Sequence, residues 1–237
     1  MRKSPEKSIV KPEPIRNFTA EEVVCIPFDP PSRFLKKTIE KLSSKEKNIG
    51  FGYLYHLKNK TVLYQSLGAS SVVLSLERLI VSGAKRIVLL GFCGSLNPEF
   101  RIKDVVSISK ALSEEGTSKH YFPRRRVFYP SPTLKNRIET VLRNSKLPFL
   151  TGSLVSTDAP YRETRSWLKQ KQKRRIDLVD MEASAVFALA NFYGIQATAL
   201  TIISDELWGG TWNKEFRSSE LIEKMKKYFV PLLHFSS

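Results

Sequence analysis

The residues of this chain with most chemical potential are acidic groups carried at the ends of apolar runs. Residues 177–185 (DLVDMEASA) deliver Asp180 and Glu182, and residues 201–205 (TIISD) deliver Asp205 further along. In an open α/β sheet the C-terminal ends of strands converge on the ligand crevice. A carboxylate held there is partly desolvated and can carry or share a proton near neutral pH. Asp205 has a second reading, since Ser204 and Asp205 before Glu206 would also cap a helical turn. Glu182 opens a helix, whose dipole favours negative charge; an ordinary first-turn glutamate reads the same way. Gly91, Gly94 and Ser95 follow an apolar run, and a turn there would offer backbone N–H groups to an oxyanion or a ribose. A plain tight turn is the alternative.

The elements that must position these groups alternate along the chain. Residues 22–27 (EVVCIP) read as a buried strand, followed by a helix carrying Phe34, Leu35 and Ile39. Residues 50–56 and 61–65 read as a hairpin rich in Tyr and Val. Val72, Val73, Leu76, Leu79 and Ile80 repeat at helical spacing across residues 68–83. Residues 86–90 (RIVLL) are apolar throughout, which predicts a strand buried on both faces, with residues 91–95 as the turn after it. Further strands are predicted over 104–109, 150–156 and 197–203. Helices are predicted over 132–144, 166–175, 181–193 (stopped by Gly194) and 218–233. This alternation predicts one α/β domain over residues 19–237, a three-layer α/β/α sandwich around a mostly parallel mixed sheet, preceded by a loose basic arm over residues 1–18.

Composition bounds the partners. The chain has 237 residues, 41% of them hydrophobic, enough for a sizeable core. Its net charge of +16 favours acidic partners, although scattered lysines and arginines also describe a solvated basic surface. The two cysteines, Cys25 and Cys93, lie in apolar runs and read as buried free thiols of a reducing compartment. No cysteine or histidine spacing predicts a metal. The N-terminal residues are charged and proline-rich, unlike a signal peptide, and no apolar run reaches membrane-spanning length, so the expectation is a cytoplasmic protein without a membrane partner.

Several segments in order resemble the nucleoside phosphorylase family, which includes uridine phosphorylase, bacterial purine nucleoside phosphorylase and the methylthioadenosine nucleosidases. The resemblance runs from about Val23 to Leu233. Residues 28–33 (FDPPSR) are similar to a Gly-Asp-Pro-x-Arg phosphate loop, and residues 66–71 (SLGASS) to a Gly-rich turn ending in serine. Residues 91–95 (GFCGS) are similar to a Gly-(Ser/Thr)-Cys-Gly turn, and residues 115–121 (EGTSKHY) to an Asp-Gly-x-Ser-x-His segment. Residues 156–161 (STDAPY) are similar to Ser-x-Asp-x-Phe-Tyr, and residues 180–183 (DMEA) to the Glu-Met-Glu-(Ala/Ser) ribose signature.

The resemblance implies cleavage of an N-glycosidic bond through an oxocarbenium-like sugar. Glu182 would accept the ribose hydroxyls, Met181 would pack under the sugar, and Asp205 would donate a proton toward N7 of a leaving purine, assisted by Arg217. Asp180, Tyr161, Cys93, Gly94, Ser95, Ser204 and His120 are the further substrate-binding positions it implies, and Arg33 and Ser71 the phosphate-binding ones. It implies no cofactor, phosphate as the co-substrate, and a homo-oligomer (dimer or trimer of dimers) in which a neighbouring subunit completes each site. The departures gather at the phosphate end: Phe28, Leu89 and Phe92 stand where the family keeps glycine, arginine and Ser/Thr. Neither Leu nor Phe can hold an anion. Either phosphate binding is rebuilt from Arg33 and Lys45 or Lys47, or water is the nucleophile, although no Met-x-Glu-Glu loop of the nucleosidases is present near Phe28. Pro160 replaces a ring-stacking Phe, and Asp180 a Glu one methylene longer. A nucleic-acid-binding protein without turnover is the reading from a different class, based on residues 124–126 (RRR) and 169–175 (KQKQKRR).

Overall fold

In the computed structural model, residues 8–18, 20–29 and 33–234 are described. One sheet organises them. Its first half contains β1 (Glu22–Ile26), β2 (Lys45–Asn48), β3 (Tyr53–Leu57), β4 (Lys60–Tyr64) and β5 (Arg86–Ser95), with helices α1 (Phe34–Leu42) and α2 (Ala69–Val81) between them. The second half holds β6 (Val105–Ser113), α3 (Ser118–Tyr121), β7 (Val127–Phe128), α4 (Pro132–Asn144), β8 (Leu150–Ser156), α5 (Arg165–Lys173) and β9 (Leu178–Asp180). Then follow α6 (Ala183–Tyr193), β10 (Gln196–Glu206), β11 (Asn213–Lys214) and α7 (Ser219–His234).

The strand order is β11-β10-β6-β8-β9-β5-β1-β4-β3-β2, with β10 also pairing β5. Strands β5, β10, β6, β8 and β9 thus form a closed ring, and β1 to β4 extend it as a wing. The long ladders are parallel: β5 with β10, β6 with β8, and β1 with β4. Short antiparallel ladders add β2, β3, β7 and β11. The expected mixed α/β architecture is observed.

The core lies on both faces of the sheet. α6 is buried from Ala183 to Ala190, and Val186, Phe187 and Leu189 are wholly enclosed. Each such side chain contributes about 1.5–3 kcal/mol of burial. The helix ends at Gly194, whose φ of 67° is the left-handed conformation glycine adopts freely. On the other face, α1, α4 and α7 cover β1, β4, β5 and β10 through Leu35, Ile138, Met225 and Phe229.

Several expectations shift. Residues 91–95 are not a turn: β5 continues to Ser95 because β10 pairs along its whole length and β9 pairs at Gly94 and Ser95. Asp205 caps no helix, since β10 runs on to Glu206. The hairpin is three-stranded, because the exposed, polar β2 adds to β3. Of the expected loose arm, residues 1–7 lie outside the described residues; at its far end Ile15 and Phe18 are buried, and the Ile15 N–H donates to Ser82 Oγ at 2.8 Å.

Candidate active site

The C-terminal ends of β5, β9 and β10 open onto one cleft of about 470 Å³. Asp180, Met181, Glu182, Ser204, Asp205, Cys93 and Gly94 all line it, so the ring of strands brings the two acidic runs together.

Asp180 ends β9 with both oxygens occupied. The Ser156 hydroxyl donates to Oδ1 at 2.6 Å and the Ala183 N–H to Oδ2 at 2.9 Å. This carboxylate fastens the start of α6 to β8. Glu182 stands at the N-cap position of α6 but does not cap it. Its Oε1 accepts the Gly68 N–H at 2.7 Å, which ties α6 to the turn before α2. Burial, and then the nearby Asp180 charge, push Glu182 up to about 8; burial pushes Asp180 up to about 6.

Asp205 reaches the cleft through a bulge. Ile203 registers with Cys93 and Asp205 with Gly94, so Ser204 is an extra residue in β10. Bulges of this kind re-aim side chains at strand ends. The Ser204 hydroxyl donates to Asp205 Oδ1 at 2.7 Å and the Trp212 indole N–H to Oδ2 at 2.8 Å. Burial holds the Asp205 carboxyl above the usual aspartate range. Gly94 makes room: a Cβ there would lie 2.7 Å from Leu207 Cδ1 and 3.1 Å from Asp205 Oδ2.

Other predicted positions fall elsewhere. Tyr161 lines the rim and is 90% exposed. Ser95 is buried outside the lining and donates to the Asn97 carbonyl at 2.8 Å. The Cys93 thiol is enclosed and its pKa raised by burial, so it is no nucleophile. His120 lines a second cavity, which meets the first only at Met181. Arg217 is exposed and outside the lining, while Asp205 is held by Ser204 and Trp212. Arg33 is exposed at the start of α1 and Ser71 pairs with Ser66 at 2.9 Å; neither lines the cleft.

The anion end is aromatic. Phe28 packs edge-on against Phe92 at 6.1 Å and against Phe216 at 6.2 Å, and all three line the cleft. Leu89 is buried in the core below. Among the described residues, the lining holds four carboxylates (Glu163, Asp180, Glu182, Asp205) and no Lys, Arg or His. No cluster of His, Cys, Asp and Glu suited to a metal occurs among the described residues.

Sequence reasoning missed Glu163, Trp212 and Phe216. Glu163 follows the 3-10 turn Pro160–Arg162 and lines the cleft. The loop carrying Trp212 and Phe216 had one signal, an aromatic and glycine-rich run (WGGTW, 208–212) just after Asp205. The basic runs are partly structural: Arg125 donates to Asn191 Oδ1 at 3.1 Å, and Lys171 is buried against Glu114.

The profile of the Phosphorylase superfamily matches residues 23–233, and the chain belongs to that superfamily. It is 28% identical over 166 residues to a guanosine phosphorylase of Halorubrum lacusprofundi, covering 70% of this chain and 69% of that one. A DeoD-type purine nucleoside phosphorylase of Mycoplasma genitalium is 29% identical over 182 residues, 75% of each chain. Among solved structures, the Toxoplasma gondii purine nucleoside phosphorylase in complex with immucillin-H superposes with a TM-score of 0.78 over 96% of both chains. At 18% identity that likeness concerns the fold. No helix among the described residues is long and apolar enough to cross a membrane.

Proposed function

We propose that this protein cleaves the N-glycosidic bond of a purine-type nucleoside. The observation that carries the reading is the presence of Glu182 and Asp205 in one cleft, at the ends of two strands that no short-range contact would bring together. Glu182 accepts the ribose hydroxyls, with Met181 against the sugar. Asp205 delivers a proton toward N7 as the electron pair of the C1′–N9 bond passes to the base. A neutral leaving group is far better than an anionic one, and general acid help of this kind is worth about 10²–10⁴ in rate. Ser204 and Trp212 fix the orientation of the acid.

The names of the relatives support phosphate as acceptor, which makes the reaction a pentosyl transfer. One observation favours water instead. A phosphate dianion would enter a cleft lined by four carboxyl groups and an aromatic wall, with no cationic side chain in the lining. Anions are held where paired donors or positive charges replace their hydration.

The deciding experiment is base release from inosine, guanosine, adenosine, methylthioadenosine and uridine, with and without phosphate, using wild type and Asp205→Ala. Purine release that drops in the variant supports the proposal, and its dependence on phosphate decides the acceptor. Release of uracil alone, or no loss in the variant, overturns it.

A further inference from the structure

Two basic runs, residues 124–126 and 169–175, take no part in the cleft, yet the fold brings them to one flank. At the end of β6 the Ser113 N–H donates to the Arg126 carbonyl at 2.7 Å. The next residue, Glu114, accepts from the Trp167 indole N–H at 2.8 Å and from the Lys171 ammonium, both on α5. Val127 and Trp167 pack against one small cluster that includes Leu112, Leu168 and Ile176. The start of β7 therefore borders α5.

The outward face of α5 carries one sign of charge. Leu168 and Lys171 turn inward and Trp167 is half-buried, while every other residue of the helix is exposed and polar. Arg165, Lys169 and Lys173 follow one another at four-residue spacing, on the side opposite Leu168. A rise of 1.5 Å per residue sets them about 6 Å apart along the axis. Arg162 precedes this row, and Arg174 and Arg175 end it, all three exposed. None of these six side chains forms a hydrogen bond or ion pair with another described residue. Residues 164–176 contain no Asp or Glu. Like charges at this spacing destabilise a helix. Helix α4 shows the ordinary solvated arrangement: Glu139 stands between Lys135 and Arg143 and pairs with both.

We propose that this flank binds single-stranded nucleic acid, whose phosphates pair with the row on α5 and with the exposed Arg124 and Arg126. The proposal goes beyond the reaction in the cleft and does not depend on it. The acids of the flank are withdrawn from a ligand: Glu114 is taken by Lys171, Asp177 by Asn97 and Ser153, and Glu163 lies in the cleft wall. A flexible polyanion gains by releasing its counterions to such a row. Beside Arg162, Tyr161 is 90% exposed and offers its ring to a base. An anionic membrane fits the face less well, because α5 presents no exposed apolar residue to insert.

The test is fluorescence anisotropy of a labelled oligouridylate with the full chain, over a range of potassium chloride. Affinity should fall with salt by a log–log slope of about −0.7 per phosphate held, so three or more contacts give about −2 or steeper. Lys169→Gln combined with Lys173→Gln should weaken binding about tenfold or more at low salt and flatten the slope by about 1.4. The matched control is Lys37→Gln with Lys41→Gln, which removes the same charge at the same spacing from exposed positions of α1. It should keep most of the affinity and the wild-type slope. All four lysines are exposed, so both double variants should melt as wild type does. An equal loss in the control would mean that net charge alone attracts the strand, and would overturn the site. Absence of binding at low salt overturns it as well. Binding to vesicles of phosphatidylserine and phosphatidylcholine without binding to oligouridylate would assign the flank to a membrane, and tighter binding of a duplex than of a single strand would overturn the choice of ligand.

Discussion

Gly68 and Glu182, far apart in the chain, meet at 2.7 Å: the Gly68 N–H before α2 donates to the Glu182 carboxylate at the start of α6. The contact depends on the backbone of Gly68, whose φ of 87° and ψ of 149° suit glycine and strain any other residue. A side chain would meet nothing, since no atom lies within 4 Å of a Cβ built there. Gly68→Ala therefore tests conformation alone. It should cost about 1–3 kcal/mol in urea unfolding. It should also raise KM for a nucleoside by loosening Glu182, and a variant with wild-type stability would refute the strain argument.

The cleft carboxyls make stability depend on pH in an unusual direction. Glu182 is pushed up to about 8, by burial first and Asp180 second. A carboxyl raised in the folded chain binds more protons folded than unfolded. Its contribution is fully present below the unfolded pKa of about 4.3. It is lost as pH rises through about 8. The ligand-free protein should lose stability between about pH 5 and 8. In Glu182→Gln, urea titrations over that range should show a loss smaller by about 1 kcal/mol or more. Equal slopes in the two proteins would contradict the raised value.

Trp212 acts on Asp205 in the opposite sense to burial. Its indole N–H, 2.8 Å from Oδ2, favours the ionised carboxylate. Trp212→Phe removes that donor and keeps an aromatic ring beside Phe216. The Asp205 proton should then be held to higher pH. The upper limb of the base-release profile should move up, and only in part, because Trp212 is half exposed and water replaces part of the bond. A limb that moves down would mean the indole has another role.

Much of this was legible in the residues. The helix over 132–144 and the strand over 150–156 have the predicted bounds, because a proline start and clean apolar spacing mark them. The acidic runs were readable as strand ends, because buried strands of a parallel sheet are apolar throughout. The 91–95 segment was not. Its glycines look like a turn, yet Gly94 lets Val179 of β9 and Asp205 of β10 approach β5 closely. β2 was hidden because its KEKN sequence is wholly exposed and only backbone pairing to β3 defines it. Glu163 had no local signature: its place depends on how the turn after β8 returns to the cleft.

The aromatic wall gives a prediction that needs no substrate. A ligand that binds only the folded chain stabilises it by RT ln(1 + [L]/Kd), about 2.7 kcal/mol at a hundredfold excess over Kd. Phosphate at a working anion site should therefore raise the melting temperature above that in chloride of equal ionic strength. With Phe28, Phe92 and Phe216 in edge contact, Leu89 in the core and no cationic side chain among the described lining residues, no such rise is expected. A neutral purine nucleoside should give one under the proposed function, in which its ribose reaches Glu182 and its base the Asp205 end. A phosphate-specific rise would show that Arg33 or a neighbouring subunit supplies the missing charge, and would return phosphate to the place of acceptor. Nucleoside stabilisation without phosphate stabilisation would assign the cleft to hydrolysis, with the aromatic wall closing the end where an anion would otherwise sit.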